Sequence, residues 1–103
     1  MELSRLFVSQ RKLRAPEQLR SLVDSIEDES TSIPPIVLSE DEHDGSIQIE
    51  DGHHRATAYA LSGRERLQPH EYALLPRERR RPRFGRLADL IERISLPATL
   101  KQY

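Results

Sequence analysis

The chain has 103 residues, the size of one domain, with no cysteine and a formal net charge of −1. Disulfide staples, thiolate metal sites and cysteine nucleophiles are therefore excluded. No run approaches the ~18 consecutive apolar residues of a membrane span, and the opening Met1-Glu2-Leu3-Ser4-Arg5 lacks an apolar signal core, so the expectation is a cytoplasmic protein with no membrane partner.

In chain order, Leu3, Leu6 and Val8 give a short apolar start that reads as a first strand, and the polar, basic Ser9–Ala15 reads as a loop. Pro16 suits a first helical turn, where its missing N–H costs nothing. Leu19, Leu22, Val23 and Ile26 follow at i, i+3, i+4, i+7, which predicts a helix from Pro16 to about Asp28. Its acidic end (Asp24, Glu27, Asp28, Glu29) opposes the helix dipole and reads as a solvated face.

Pro34-Pro35 sets an extended entry to a buried strand, Ile36-Val37-Leu38. The acidic turn Ser39–Ser46, with Asp44-Gly45 as its hairpin signal, leads to Ile47-Gln48-Ile49-Glu50, where apolar and polar residues alternate. The two strands are expected to pair antiparallel. A second helix opens at His53 or His54 and carries Ala56, Ala58, Tyr59, Ala60 and Leu61, and Gly63 stands where a helix-terminating glycine belongs. Arg64–Gln68 is a connector and Tyr72–Leu75 a last short strand. Leu87, Leu90, Ile91 and Ile94 repeat the helical stripe, so a terminal amphipathic helix follows until Pro97 stops it. Its apolar side either packs on the domain's own core or docks a partner, a second copy included. The fold class expected is a small α/β (α+β) domain: a short mixed sheet of about four strands, helices packed on it, and the C-terminal helix. Residues 1–75 form the domain proper and 76–103 an arginine-rich arm with that helix.

The charge is unevenly placed. Residues 1–60 hold 6 Lys+Arg against 12 Asp+Glu, and residues 61–103 hold 10 against 5. Arg77, Arg79, Arg80, Arg81, Arg83 and Arg86 account for most of that excess. They invite an anionic partner, DNA among them, or else pair as a solvated tail with the acidic half. Phe84 is the only aromatic among them, which does not suit a base-stacking platform.

The run Glu50-Asp51-Gly52-His53-His54-Arg55 carries the chemistry. The first turn of a helix has unpaired N–H groups and, with the dipole, attracts anions. Gly52 allows close approach of a ligand. Arg55 offers a planar fork that matches phosphate oxygens, and His53 and His54 add donors. Asp51 is expected to cap the helix, or to hold a ligand hydroxyl or Mg²⁺. In the plain structural reading Asp51 only caps, Gly52 only turns and the histidines are surface residues. A structural zinc site is disfavoured: adjacent helical histidines diverge, and His43 and His70 are the only others.

These features together resemble the ParB/sulfiredoxin-like superfamily, familiar from the N-terminal part of ParB partition proteins. The resemblance covers roughly residues 3–75. It rests on the Leu19/Leu22/Val23/Ile26 helix, on Ile33-Pro34-Pro35-Ile36-Val37-Leu38, and most specifically on Asp51–Arg55 with the alanine-rich helix behind it. It implies a small α/β fold whose turn binds nucleotide phosphates, with Gly52, His53, His54 and Arg55 as phosphate contacts. The nucleotide would be ATP, ADP or CTP, with Mg²⁺ as companion, and Asp51 would stand beside the transferred group or its metal; a phosphotransferase would also need a general base, for which Asp51, Glu50 and Glu17 are the candidates. ParB proteins have Gly-Glu-Arg-Arg at this turn; the Asp-Gly-His-His-Arg form is similar to the free serine kinases. Three departures follow. The cysteine of sulfiredoxins is absent. The loop before the first helix, Ser9–Arg14, lacks the kinases' glutamate, Glu17 being the nearest. The chain also has no room for the helix-turn-helix domain of ParB. Three functions thus stand open: a nucleotide-binding module, a small phosphotransferase or nucleotide hydrolase, and a DNA-binding or partition-type accessory protein that uses the arginine arm.

Overall fold

The computed structural model describes residues 1–28, 31–76 and 82–94. Arg77, Arg79, Arg80 and Arg81, and the expected stop at Pro97, lie outside the described residues. Four strands, β1 (Leu6–Phe7), β2 (Ile36–Glu40), β3 (Ile47–Asp51) and β4 (Tyr72–Pro76), form one mixed sheet in the order β1-β3-β2-β4. β2 and β3 pair antiparallel, whereas β1 runs parallel to β3 and β4 parallel to β2. Three helices, α1 (Leu19–Glu27), α2 (His53–Leu61) and α3 (Leu87–Arg93), complete this α+β domain. Among the described residues no helix is long and apolar enough to cross a membrane.

The expected first strand is shorter than its apolar residues suggest. Leu3–Arg5 forms a 3-10 turn that buries Leu3, and only Leu6 and Phe7 pair with Ile47 and Gln48. The first helix likewise opens as a 3-10 turn at Pro16–Gln18 before α1 proper begins. Its stripe falls inward as expected: Leu19 and Val23 are buried, and Leu22 and Ile26 lean on the same core. Between β2 and β3 the expected Asp44-Gly45 signal is joined by Asp41: Asp44 Oδ1 accepts the N–H of Ser46 at 2.8 Å, and Asp41 organises the turn before it. Asp41 Oδ1 accepts the N–H of His43 (2.8 Å) and of Asp44 (3.3 Å), while Gly45 sits at φ 72°.

One face of the sheet presents Leu6, Ile36, Leu38, Ile47 and Ile49 to the helices, where they meet Leu19, Val23, Ala56, Tyr59, Leu87 and Leu90. Leu87 and Leu90, at 2% and 0% exposure, place α3 inside this same core. The opposite face carries Phe7, Gln48 and Ser39, which are neighbours in register. Alternation alone would leave Gln48 in water, yet it is 0% exposed. The chain from Pro82 to Arg86 runs over it: Gln48 Oε1 accepts from Arg83 Nε (3.2 Å), and Arg83 and Arg86 stack on the Phe7 ring at 4.2 and 4.7 Å.

The pairing of β2 with β3 slips by one residue between Val37 and Leu38: Leu38 faces Ile49, but Val37 faces Asp51. Glu50 is therefore an extra residue on β3, a bulge of the kind that re-aims a chain next to a site. The strand ends immediately afterwards and α2 begins.

Candidate functional site

The turn from β3 into α2 is built on Gly52, which takes φ 100° and ψ 31° as the residue preceding the helix. A side chain there would be strained, because L-residues other than Gly rarely enter positive φ. The space is also taken. A Cβ on Gly52 would lie 2.9 Å from Arg55 Nη2 and 3.0 Å from its Nε. The Arg55 guanidinium thus lies flat against the glycine at the mouth of the turn.

Gly52, and not Asp51, is the residue at the cap, which corrects the expectation that Asp51 caps α2. Ladder pairing with Val37 carries β3 through Asp51 and holds its backbone extended. The Asp51 carboxylate, 77% exposed, instead accepts from Arg55 Nη2 at 3.3 Å, and the Arg55 side chain is 18% exposed. Such a pair at the surface adds little stability. Its consequence is to hold Arg55 beside the helix end. Ala56 N–H is the first in α2 to reach a helical carbonyl, that of Gly52 at 2.9 Å, and Gly52 has no side chain with which to cap the N–H groups before it.

The two histidines are not surface donors side by side. His53 is 2% exposed, and its Nε2 accepts the N–H of Ser9 at 3.0 Å. Ser9 Oγ in turn donates to the Ile49 carbonyl at 2.8 Å. His54 Nε2 accepts the N–H of Ala15 at 3.1 Å. Both rings thus present an unprotonated Nε2 to the backbone of the Ser9–Ala15 loop and fasten it against α2. Burial lowers the proton affinity of His54; the nearby Glu17 carboxylate acts the other way, and Arg14 adds to the lowering. Neutral His54 matches its role as acceptor.

The loop so fastened closes a cleft of about 620 Å³ over the start of α2. Its floor is Glu50–Arg55, and its other wall is Gln10, Arg14, Gln18 and Leu22. Sequence reasoning missed these four. Gln10 and Arg14 stand in the polar loop, Gln18 in the turn after it and Leu22 in the α1 stripe, none of which marks a site, and their convergence on the start of α2 is tertiary. Gln10 Oε1 is buried and has no hydrogen-bond partner among the described residues. The cleft therefore offers a helix N-terminus, two guanidinium groups (Arg14 and Arg55), two side-chain amides and one aliphatic wall. Glu50 is less available than Asp51, since its Oε1 accepts from Ser39 Oγ at 2.5 Å. Among the described residues no three His, Asp or Glu side chains converge to hold a metal ion. The exposed Asp51 carboxylate is the side-chain oxygen at this cleft that could hold a Mg²⁺ ion.

A second cleft, of about 660 Å³, lies at the far ends of α1 and α2. Its central charged pair is engaged internally. Arg64 grips Glu71 with two bonds (3.1 and 2.5 Å), and Gln68 N–H adds a third at 2.6 Å. Burial pushes the Glu71 carboxyl up, but these bonds outweigh it and leave the group below its ordinary value. This is a brace between the connector and β4.

Of the arginine arm, the two described residues are engaged within the chain. Arg83 bonds Gln48 and the Ser46 hydroxyl, and Arg86 Nη1 donates to the Ser4 carbonyl at 3.2 Å. Comparison with protein-family models, curated proteins and solved structures returns no match for this chain.

Proposed function

We propose that this protein is a nucleotide-binding module whose ligand phosphates sit at the N-terminus of α2, between Arg55 on one side and Arg14 on the other. The observation that carries the reading is the glycine-capped helix start opening into a cleft with two guanidinium groups at its walls. Helix N–H groups and dipole supply an anion site. Guanidinium forks match phosphate oxygens, and Gly52 removes the Cβ that would hold a ligand off. The resemblance of Asp51–Arg55 to the ParB/sulfiredoxin-like turn supports the same ligand class, with ATP, ADP and CTP as the first to test. His53 and His54 serve this site by fastening its loop and not as ring donors at Nε2.

A second reading, a small phosphotransferase or nucleotide hydrolase, is favoured by the exposed Asp51 carboxylate at the cleft edge. A phosphate held at the start of α2 would lie beside it, the place such a reaction needs an acceptor or a base. Titration of ATP, ADP, CTP and GTP, with and without Mg²⁺, into wild type and Arg55→Ala tests the first reading. One nucleotide binds, and the variant loses it; binding weaker than millimolar by all four refutes it. Turnover abolished by Asp51→Asn supports the second reading, and tight binding without turnover removes it.

A further inference from the structure

We infer that the C-terminal segment Pro82–Ile94 is a strap that positions the Ser9–Ala15 wall of the cleft, with Arg93 as its pin, so that seating of the strap and occupancy of the cleft are coupled. The inference rests on the reading of that cleft as an anion site.

The loop is held from two sides. From α2, His53 and His54 take the N–H groups of Ser9 and Ala15. From the strap, Phe84 N–H donates to the Val8 carbonyl (3.0 Å) and Val8 N–H to the Gly85 carbonyl (2.9 Å), immediately before Ser9. Further along, one guanidinium joins loop to strap: Arg93 Nε donates to the Arg11 carbonyl at 3.1 Å, and its Nη2 to the Phe84 carbonyl at 2.7 Å. The Arg11 guanidinium lies over the Phe84 ring at 5.2 Å. Gln10 and Arg14, the two loop residues that line the cleft, stand on either side of the Arg11 attachment.

The strap has its own anchorage, independent of Arg93. Leu87 and Leu90 are buried, Arg83 and Arg86 stack on Phe7, and Asp89 Oδ2 accepts the Arg86 N–H at 2.8 Å. Its Gly85 is at φ 92°, with Asp89 Oδ2 only 2.6 Å from where a Cβ would stand. Removing the exposed Arg93 side chain therefore releases the loop's attachment at Arg11 without unseating α3. A ligand that needs Gln10 and Arg14 in place favours the seated strap, and by linkage a seated strap favours that ligand. Arg93 touches no ligand; it is a positioning residue.

The test compares the full-length wild type with Arg93→Ala, and with Arg66→Ala as a control that removes the same charge far from the loop. Two readouts are taken: hydrogen exchange along the chain, and calorimetric titration with inorganic pyrophosphate. In Arg93→Ala, exchange within Ser9–Ala15 rises by roughly tenfold or more while β2 and β3 keep their protection. Pyrophosphate affinity falls by about fivefold or more, the lower end of ordinary coupling. Arg66→Ala changes neither. Unchanged loop exchange, acceleration spread evenly over the sheet, or unchanged affinity in a protein whose wild type binds pyrophosphate would each overturn the inference. If pyrophosphate binds neither wild type nor variant, the reading of the cleft fails, and loop exchange alone decides whether the strap positions the loop.

Discussion

Two glycines separate the cost of backbone strain from the loss of a ligand site. Gly52 and Gly63 both hold positive φ, 100° and 90°. An alanine at either must adopt a conformation that costs an L-residue about 1–3 kcal/mol. In a domain of this size that lowers the melting temperature by roughly 4–24 °C. The two sites differ in what the new methyl meets. At Gly63 nothing among the described residues stands within 4 Å of the new methyl, whereas at Gly52 the Arg55 guanidinium is 2.9 Å away. That guanidinium is the end of a flexible side chain, so it swings aside at small further cost, and Arg55 is then displaced from the place where it would meet a ligand phosphate. Both variants should lose similar stability by thermal denaturation. In calorimetric titration with whichever nucleotide binds wild type, Gly63→Ala keeps its affinity, while Gly52→Ala loses tenfold or more, about 1.4 kcal/mol. Equal affinity in the two variants would refute the claim that Gly52 is kept open for a ligand, and an unshifted melting temperature in both would refute the strain argument.

Other predictions follow from the core and the histidines. Leu90→Ala removes a 0% exposed side chain from α3 and should cost about 2–5 kcal/mol in denaturant unfolding, as a core position does and a peripheral arm does not. Thr57 is 0% exposed and its hydroxyl has no hydrogen-bond partner among the described residues. Thr57→Val should therefore leave stability unchanged or raise it by up to about 1–3 kcal/mol, the cost of a buried unsatisfied group; clear destabilisation would mean the hydroxyl is satisfied. His54 has a folded-state proton affinity below its ordinary 6.5, so the unfolded chain binds the proton more readily. Its contribution is fully present above that value and is lost as pH falls through the window beneath it. Unfolding midpoints measured from pH 7.5 to 5 should fall, and His54→Gln should flatten that fall; an identical slope in the variant would show that His54 is not the group responsible.

Sequence periodicity and turn chemistry carried much of the fold. The Leu19/Leu22/Val23/Ile26 stripe, the β2–β3 hairpin and the bounds of α2 are local, and each local signal agrees with the final packing. What escaped was set by distant chain. Gln48 is buried because residues 82–86 cross the sheet's second face, which alternation along β3 cannot reveal. Asp51 looks like a helix cap in isolation, yet its ladder partner Val37 keeps it in the strand and passes the cap to Gly52. The doublet His53-His54 marked the right turn with an incomplete role. Adjacent helical residues point apart, and each ring found a different end of the Ser9–Ala15 loop. The far wall of the cleft had no sequence signature at all, because single Gln and Arg residues in a polar loop look like solvent-facing ones until the fold brings them opposite α2.

The most direct test of the account is an amide NMR titration of the full chain with inorganic pyrophosphate and with ATP, ADP and CTP. An anion held at the start of α2 shifts the backbone amides of Gly52–Ala56 first and furthest, with smaller shifts at Gln10 and Arg14 across the cleft. Shifts confined to the strap and its arginines, or none at the start of α2 at millimolar ligand, would contradict it.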